Sequence, residues 1–208
     1  MGFGTKIRAI PRAAVLAKAT PPSGASQEAI WDQRFDTQLY PTTGVRTLSF
    51  FGAVNNDKTL SNMEAAAQFP APQSFQIFDI ALDLFPAAAG ISSTATSAGN
   101  VDDMQKILFQ ARPVWTLSIS NKQYGPYSAT VLHGTGGPQG FIASTVATVA
   151  IEHARNEVNP GWTYQGSIII PEQTSFAFTI QFQNTLVPVV VDHYLRVSLF
   201  GIQQRRVL

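Results

Sequence analysis

Apolar and polar residues alternate along much of this chain with a period of two, the spacing that sends successive side chains to opposite faces of a sheet. Over 176–182, Phe176, Phe178, Ile180 and Phe182 alternate with Ala177, Thr179 and Gln181, which predicts a strand with one buried face. Ahead of it, Trp162 and Tyr164 lead into Ile168, Ile169 and Ile170, and Pro171, Glu172 and Gln173 supply a turn, so 161–183 reads as a hairpin. Each buried phenylalanine is worth roughly 1.5–3 kcal/mol, and the rest of the chain has to supply an apolar layer opposite them.

The same pattern predicts further strands. Segment 45–54 is one, with a turn at 55–58. In 74–85, Phe78, Ile80, Leu82 and Leu84 share a face opposed by Asp79, Ala81 and Asp83, and the adjacent pair Ile77 and Phe78 marks a bulge or a change of covered face. Pro70 and Pro72 exclude a central strand just before it. Trp115, Leu117 and Ile119 define a strand over 114–120, followed by strands over 124–132, 141–152 (rich in Val, Thr and Ile, hence covered on both sides) and 188–202. Trp31 to Tyr40 is amphipathic without a clear period and reads as a segment that docks before the fold begins. One short helix is predicted: Asn100 caps it, Asp102 and Asp103 suit its first turn, Met104, Ile107, Leu108 and Ala111 fall on one side, and Pro113 stops it.

About eight strands with long connections, and no helix–strand alternation, predict an all-β protein: an eight-stranded β-sandwich, as a single jelly roll, with one short helix and an extended N-terminal arm. An immunoglobulin-like or lectin-like strand order stays open. Residues 1–30 form the arm, which holds Lys6, Arg8, Arg12 and Lys18 with no acid before Glu28 and passes through Pro11, Pro21 and Pro22; residues 31–208 form the sandwich. Arg205 and Arg206 add a basic close. These six cations are the candidate contacts for assembly, nucleic acid or a membrane surface. The plain alternative for the arm is a terminus without a task.

Composition sharpens this picture. Only 13% of residues are charged, against about a quarter in ordinary soluble chains. Lys122 is the only charged residue between 113 and 151, and Glu172 the only one between 161 and 191. Sheet faces so poor in charge predict cover by other copies of the chain. The net charge of +1 exerts no global pull on nucleic acid, and the absence of cysteine excludes disulfides and thiolate metal sites. No run has the length of a membrane span, and the apolar stretch after Lys6 and Arg8 is too short for a signal peptide.

Candidate chemistry is sparse. His133, His153 and His193 lack ligand spacing, and Asp192 and His193 project to opposite sides of a strand. Asp79 and Asp83 lie roughly 13 Å apart on an extended strand, too far for a retaining glycosidase pair. The stretch His133 to Gly137 imitates a lipase oxyanion loop and Ala95 to Gly99 a nucleophile elbow, but no strand enters at Ser97. The reading is therefore no enzyme, no cofactor, no metal and no small-molecule substrate. Trp31, Trp115, Trp162, Tyr124 or Tyr127, if exposed, would offer a carbohydrate or base-stacking platform, although their strand period puts most of them in a core.

The basic arm, the low-charge eight-strand body and the basic tail together resemble the jelly-roll capsid proteins of icosahedral viruses. The phrases NMEAAAQFPAPQSFQI and PEQTSFAFTIQFQN are similar to head and decoration proteins of bacteriophages. The likeness spans roughly 45–202 and is one of texture, with no signature motif. It implies a virion structural protein (capsid, vertex or decoration subunit) assembled in the host cytoplasm. Its implied partners are itself, as trimer to hexamer or shell, other capsid proteins, and genome or inner membrane through the arm. A carbohydrate-binding or host-adhesion module is the alternative.

Overall fold

The computed structural model of the protein describes residues 26–87, 103, 106–132, 144–146, 149–151, 162–184 and 186–207. The described strands are β1 Ser26–Tyr40, β2 Thr47–Phe50, β3 Gln73–Pro86, β4 Pro113–Ile119, β5 Lys122–Ser128, β6 Ser144–Val146, β7 Val149–Ile151, β8 Trp162–Ile170, β9 Phe176–Phe182 and β10 His193–Val207. Two four-stranded antiparallel sheets carry the fold, in the orders β1-β10-β3-β8 and β2-β9-β4-β5. The pairs β1–β10, β2–β9, β3–β8 and β4–β5 are those of one long hairpin closed at β4–β5. The further pairs β10–β3 and β4–β9 roll that hairpin into two sheets, which is the jelly-roll order. The short β6–β7 pair sits in the connection from β5 to β8.

Several local expectations are corrected. The segment 161–183 is not a hairpin: β8 pairs with β3, and β9 pairs with β4 and β2 in the other sheet. The turn at 171–175 is a corner between sheets, which lets Ile168 and Ile170 face Phe176 and Phe178 across the core rather than beside them. Trp31 to Tyr40 belongs to the long edge strand β1, whose pairing with β10 begins at Ser26. Its period is obscured because its inward positions Arg34 and Asp36 are polar yet buried. The stretch 141–152 holds the β6–β7 hairpin instead of one strand, and β5 ends at Ser128 in a 3-10 turn over Ala129–Leu132. Of the expected helix, Asp103 is helical and Lys106–Gln110 forms a π-helical turn that buries Ile107 and Leu108. Asn100, Asp102 and Met104 fall outside the described residues, as does the arm up to residue 25 with Lys6, Arg8, Arg12 and Lys18.

Stacked rings tie the sheets together. Phe75 of β3 stacks on Phe69 at 5.3 Å and Phe69 on Phe176 of β9 at 5.5 Å, which joins the two sheets, while within the second sheet Phe178 stacks on Trp115 of β4 at 5.4 Å. All of these rings are fully buried, so their apolar area adds to the favourable face-offset geometry. Edge protection is local. Asn62, in the connection from β2 to β3, accepts from the Phe35 amide at 2.8 Å and donates to the Gln33 carbonyl at 2.7 Å, so its side chain occupies the hydrogen-bonding groups of the β1 edge. β2 has only four residues, and β5 carries Lys122 and Pro126, features that discourage pairing with a foreign strand.

Antiparallel order also sorts the connections. The strand ends at Tyr40, Pro86, Pro113, Ser128, Trp162, Phe182 and His193 lie at one end of the sandwich, and those at Phe50, Gln73, Ile119, Lys122, Ile170 and Phe176 at the other.

Candidate functional site

The chemistry of this molecule lies on the outer faces of its two sheets. On the β2-β9-β4-β5 sheet, strict alternation puts Leu48, Phe50, Phe178, Ile180, Trp115 and Leu117 inward. Their neighbours form outward rows. Thr47, Gln181, Val114 and Ser128 make one row across the four strands. Ser49, Thr179 and Thr116 make the next, and Ala177, Ser118 and Gln123 a third. None of these ten residues is charged. β-branched and hydroxyl side chains fit a pleated surface and give up little hydration when covered.

The outer face of the β1-β10-β3-β8 sheet is different, because it is aromatic. A bulge at Phe78 shifts the register of β3 against both of its neighbours, so Ile77 and Ile80 both point inward and Phe78 turns outward. Phe78 therefore does not share the face of Ile80, Leu82 and Leu84 that simple alternation predicts. It stacks at 5.7 Å on Trp31, whose side of the sheet it joins, and Trp31 remains 53% exposed. Beside them Gly201 is required, since a Cβ there would collide with the Gln76 carbonyl. Further along, the Arg196 guanidinium lies 4.6 Å from the Phe35 ring and 5.1 Å from Phe85, with Tyr194 against Phe85 at 5.7 Å. Its Nε donates to Thr37 Oγ1 at 3.1 Å and its Nη2 to the Thr59 carbonyl at 2.5 Å, so this cation is held by two rings, a hydroxyl and a carbonyl. Neighbours cover Ala81 and Ser198 completely although both lie on the outer side.

One carboxylate oxygen on this face lacks a partner among the described residues. Asp79 shares a row with Phe200, Gln33 and Thr163, and its Oδ1 is buried without a hydrogen bond from any of the described residues. Burial pushes its carboxyl up to about 6, partly countered by the Ile80 amide.

Several other singled-out residues make contacts within the sandwich. Asp103 is fully buried and accepts from the amides of Val190 (2.7 Å) and Val191 (3.0 Å), pinning the connection from β9 to β10, with Lys106 Nζ at 3.5 Å. Asp192 accepts from the Thr42 amide at 2.7 Å, while His193 points into the core with Nδ1 2.8 Å from the Val191 carbonyl, so the two serve separate places. Arg205 pairs with Glu28 at 2.6 Å across β10 and β1, and Arg206 is opposite Gln27 in the same ladder. Trp115 is buried, Tyr127 is 44% exposed and Tyr124 is half-buried, so the expected aromatics do not form one platform. His133, His153, Ser97 and the glycine-rich 134–140 lie outside the described residues. No cluster of potential metal ligands occurs among the described residues. A shallow recess of about 430 Å³, lined by Leu108, Phe109, Arg112, Val114 and Gln183, opens beside the start of β4.

The aromatic face escapes sequence reasoning because β1 is not recognisable as a strand; the adjacent Ile77 and Phe78 are its only local signal. No protein-family model, curated protein or solved structure matches this chain.

Proposed function

We propose that this chain is a structural subunit of a virus particle, assembling with copies of itself and with other shell proteins. The observation that carries the reading is the charge-free outer face of the β2-β9-β4-β5 sheet, where Thr116 and Thr179 sit at the centre of uncharged rows. Subunit interfaces are depleted of charge at their centres, because a desolvated ion without a partner is costly. A lone soluble domain gains nothing from such a surface and ordinarily mixes charges of both signs over it. The jelly-roll order supports the reading by analogy only, since the same architecture serves capsids, lectins and cupins. The reaction-free character of the reading fits a job of occupying a place in a lattice.

Charge placed at the centre of the face tests it. Thr179→Lys with Thr116→Lys leaves the inward residues untouched, so the sandwich folds, while particles or closed oligomers seen by negative-stain electron microscopy and sedimentation disappear. A wild-type chain that stays monomeric at high concentration, or a double variant that assembles normally, sinks the reading. A second reading, a carbohydrate-binding or adhesion module, is favoured by the exposed ring of Trp31 over Phe78. It requires a glycan whose binding is lost on Trp31→Ala.

A further inference from the structure

Two charged side chains stand apart among the described residues, Glu172 and Arg112. Glu28, Asp32, Asp36, Asp57, Asp103 and Asp192 each accept from a cation, a hydroxyl or a backbone amide. The Glu172 carboxylate has no such partner among the described residues; only its backbone is engaged, by the Thr174 hydroxyl and the bridge to Phe69. No carboxylate of the described residues pairs with the Arg112 guanidinium either, and Arg112 is the one charged residue lining the recess of about 430 Å³ beside the start of β4.

The backbone presents Arg112 at a conformational cost. Lys106–Gln110 closes as a π-helical turn in which the Ala111 amide donates to the Lys106 carbonyl at 2.8 Å, and Arg112 follows with φ at 49°, in the left-handed region. The amides of Gln183 and Asn184, just past β9, donate to the Arg112 and Ala111 carbonyls at 3.3 and 3.2 Å, which fixes this conformation against the sheet. Phe109, 53% exposed, and Val114 give the recess apolar walls, and Val114 continues into the uncharged outer row with Gln181 and Thr47. A cation among apolar walls selects an anion carried on an apolar body.

Glu172 has that chemistry, since it follows the exposed Pro171 in the corner between Ile170 and Phe176. It cannot reach the recess of its own chain. The corner lies before the start of β9 and Gln183 after its end, so the seven residues of that strand separate them, roughly 20 Å. The matching carboxylate must come from a second copy. We propose that the Glu172 corner of a neighbouring copy seats in the recess, with its carboxylate on the Arg112 guanidinium and Pro171 against Phe109. This contact rests on the shell reading and adds to it a join between unlike ends of the subunit. Each copy offers one recess and one corner, as a contact repeated around a closed ring requires. Flanked by Phe109 and Val114, the ion pair is partly shielded from water, so salt screens it little.

Charge reversal in the full chain tests the contact by sedimentation velocity. Arg112→Glu and Glu172→Arg should each weaken association about tenfold or more, because either one brings like charges together. The double reversal should restore association to near the wild-type value, which a misfolded protein could not do. Arg46→Glu makes the same change of charge at an exposed residue outside the recess and should leave association unaltered. Single reversals that associate normally, a double reversal no better than the singles, or an equal loss with Arg46→Glu overturns the contact. A wild-type chain that stays monomeric overturns the contact and the shell reading together. Assembly that is lost with Thr116→Lys and Thr179→Lys but indifferent to the reversals overturns the contact alone.

Discussion

At the scale of single residues, Asp79 sets a pH dependence that its neighbours make calculable in sign. Its carboxyl, ordinarily near 3.8, is raised to about 6 by burial. A raised folded-state value means the native protein holds this proton after the unfolded chain has released it. The contribution is therefore fully present below about pH 4 and is lost as pH rises through 6. The full shift corresponds to roughly 3 kcal/mol, and partial exposure reduces that to about 1 kcal/mol. The urea midpoint should therefore fall between pH 4 and 7, and Asp79→Asn should flatten the profile. An equal slope with and without Asp79→Asn would show that another group titrates. Gln33, Phe200 and Thr163, which share its row, bring no charge of their own.

Among the elements, β1 shows how far a sequence carries structural information and where it stops. Strands β4 and β9 are legible because their alternation is uninterrupted and their burial follows it residue by residue. β1 is not, because Arg34 and Asp36 occupy inward positions and are satisfied only in three dimensions. Arg34 reaches Gln203 Oε1 at 2.7 Å and the Asn62 carbonyl at 3.1 Å, and Asp36 accepts from the Phe51 amide at 2.7 Å. Partners so distant in sequence leave no local pattern. The corner at 171–175 was unreadable for the same reason: a turn between two alternating segments looks alike whether they pair or part. Asn62 occupies two hydrogen-bonding groups of the β1 edge. Asn62→Ala should remove two hydrogen bonds, about 1–2 kcal/mol of stability, and free the Phe35 amide and the Gln33 carbonyl. Lower thermal midpoint together with thioflavin-positive aggregation is the expected result, and a variant that is merely destabilised would mean that another segment guards the edge.

For the molecule as a whole, the division between the two outer faces matters more than the net charge of +1. An assembly interface built on the uncharged rows around Thr116 and Thr179 should be nearly indifferent to ionic strength, since screening acts on charges. Static light scattering of the assembled protein in low and high salt measures this, and dissociation by salt would shift the interface to the basic residues instead. The overall architecture was legible from the count and spacing of strands. The aromatic face was not, since it depends on a bulge at Phe78 and on pairing between β1 and β10, which are farthest apart in the chain.

That last pairing has a practical result. Ser26 stands opposite Val207, so the sandwich is entered and left at neighbouring points on one corner. A label placed at either of these strand ends sits there, beside the other, on the sheet that does not carry the threonine rows. Labelling from that corner can therefore follow the protein without touching the surface through which it is proposed to meet its own kind.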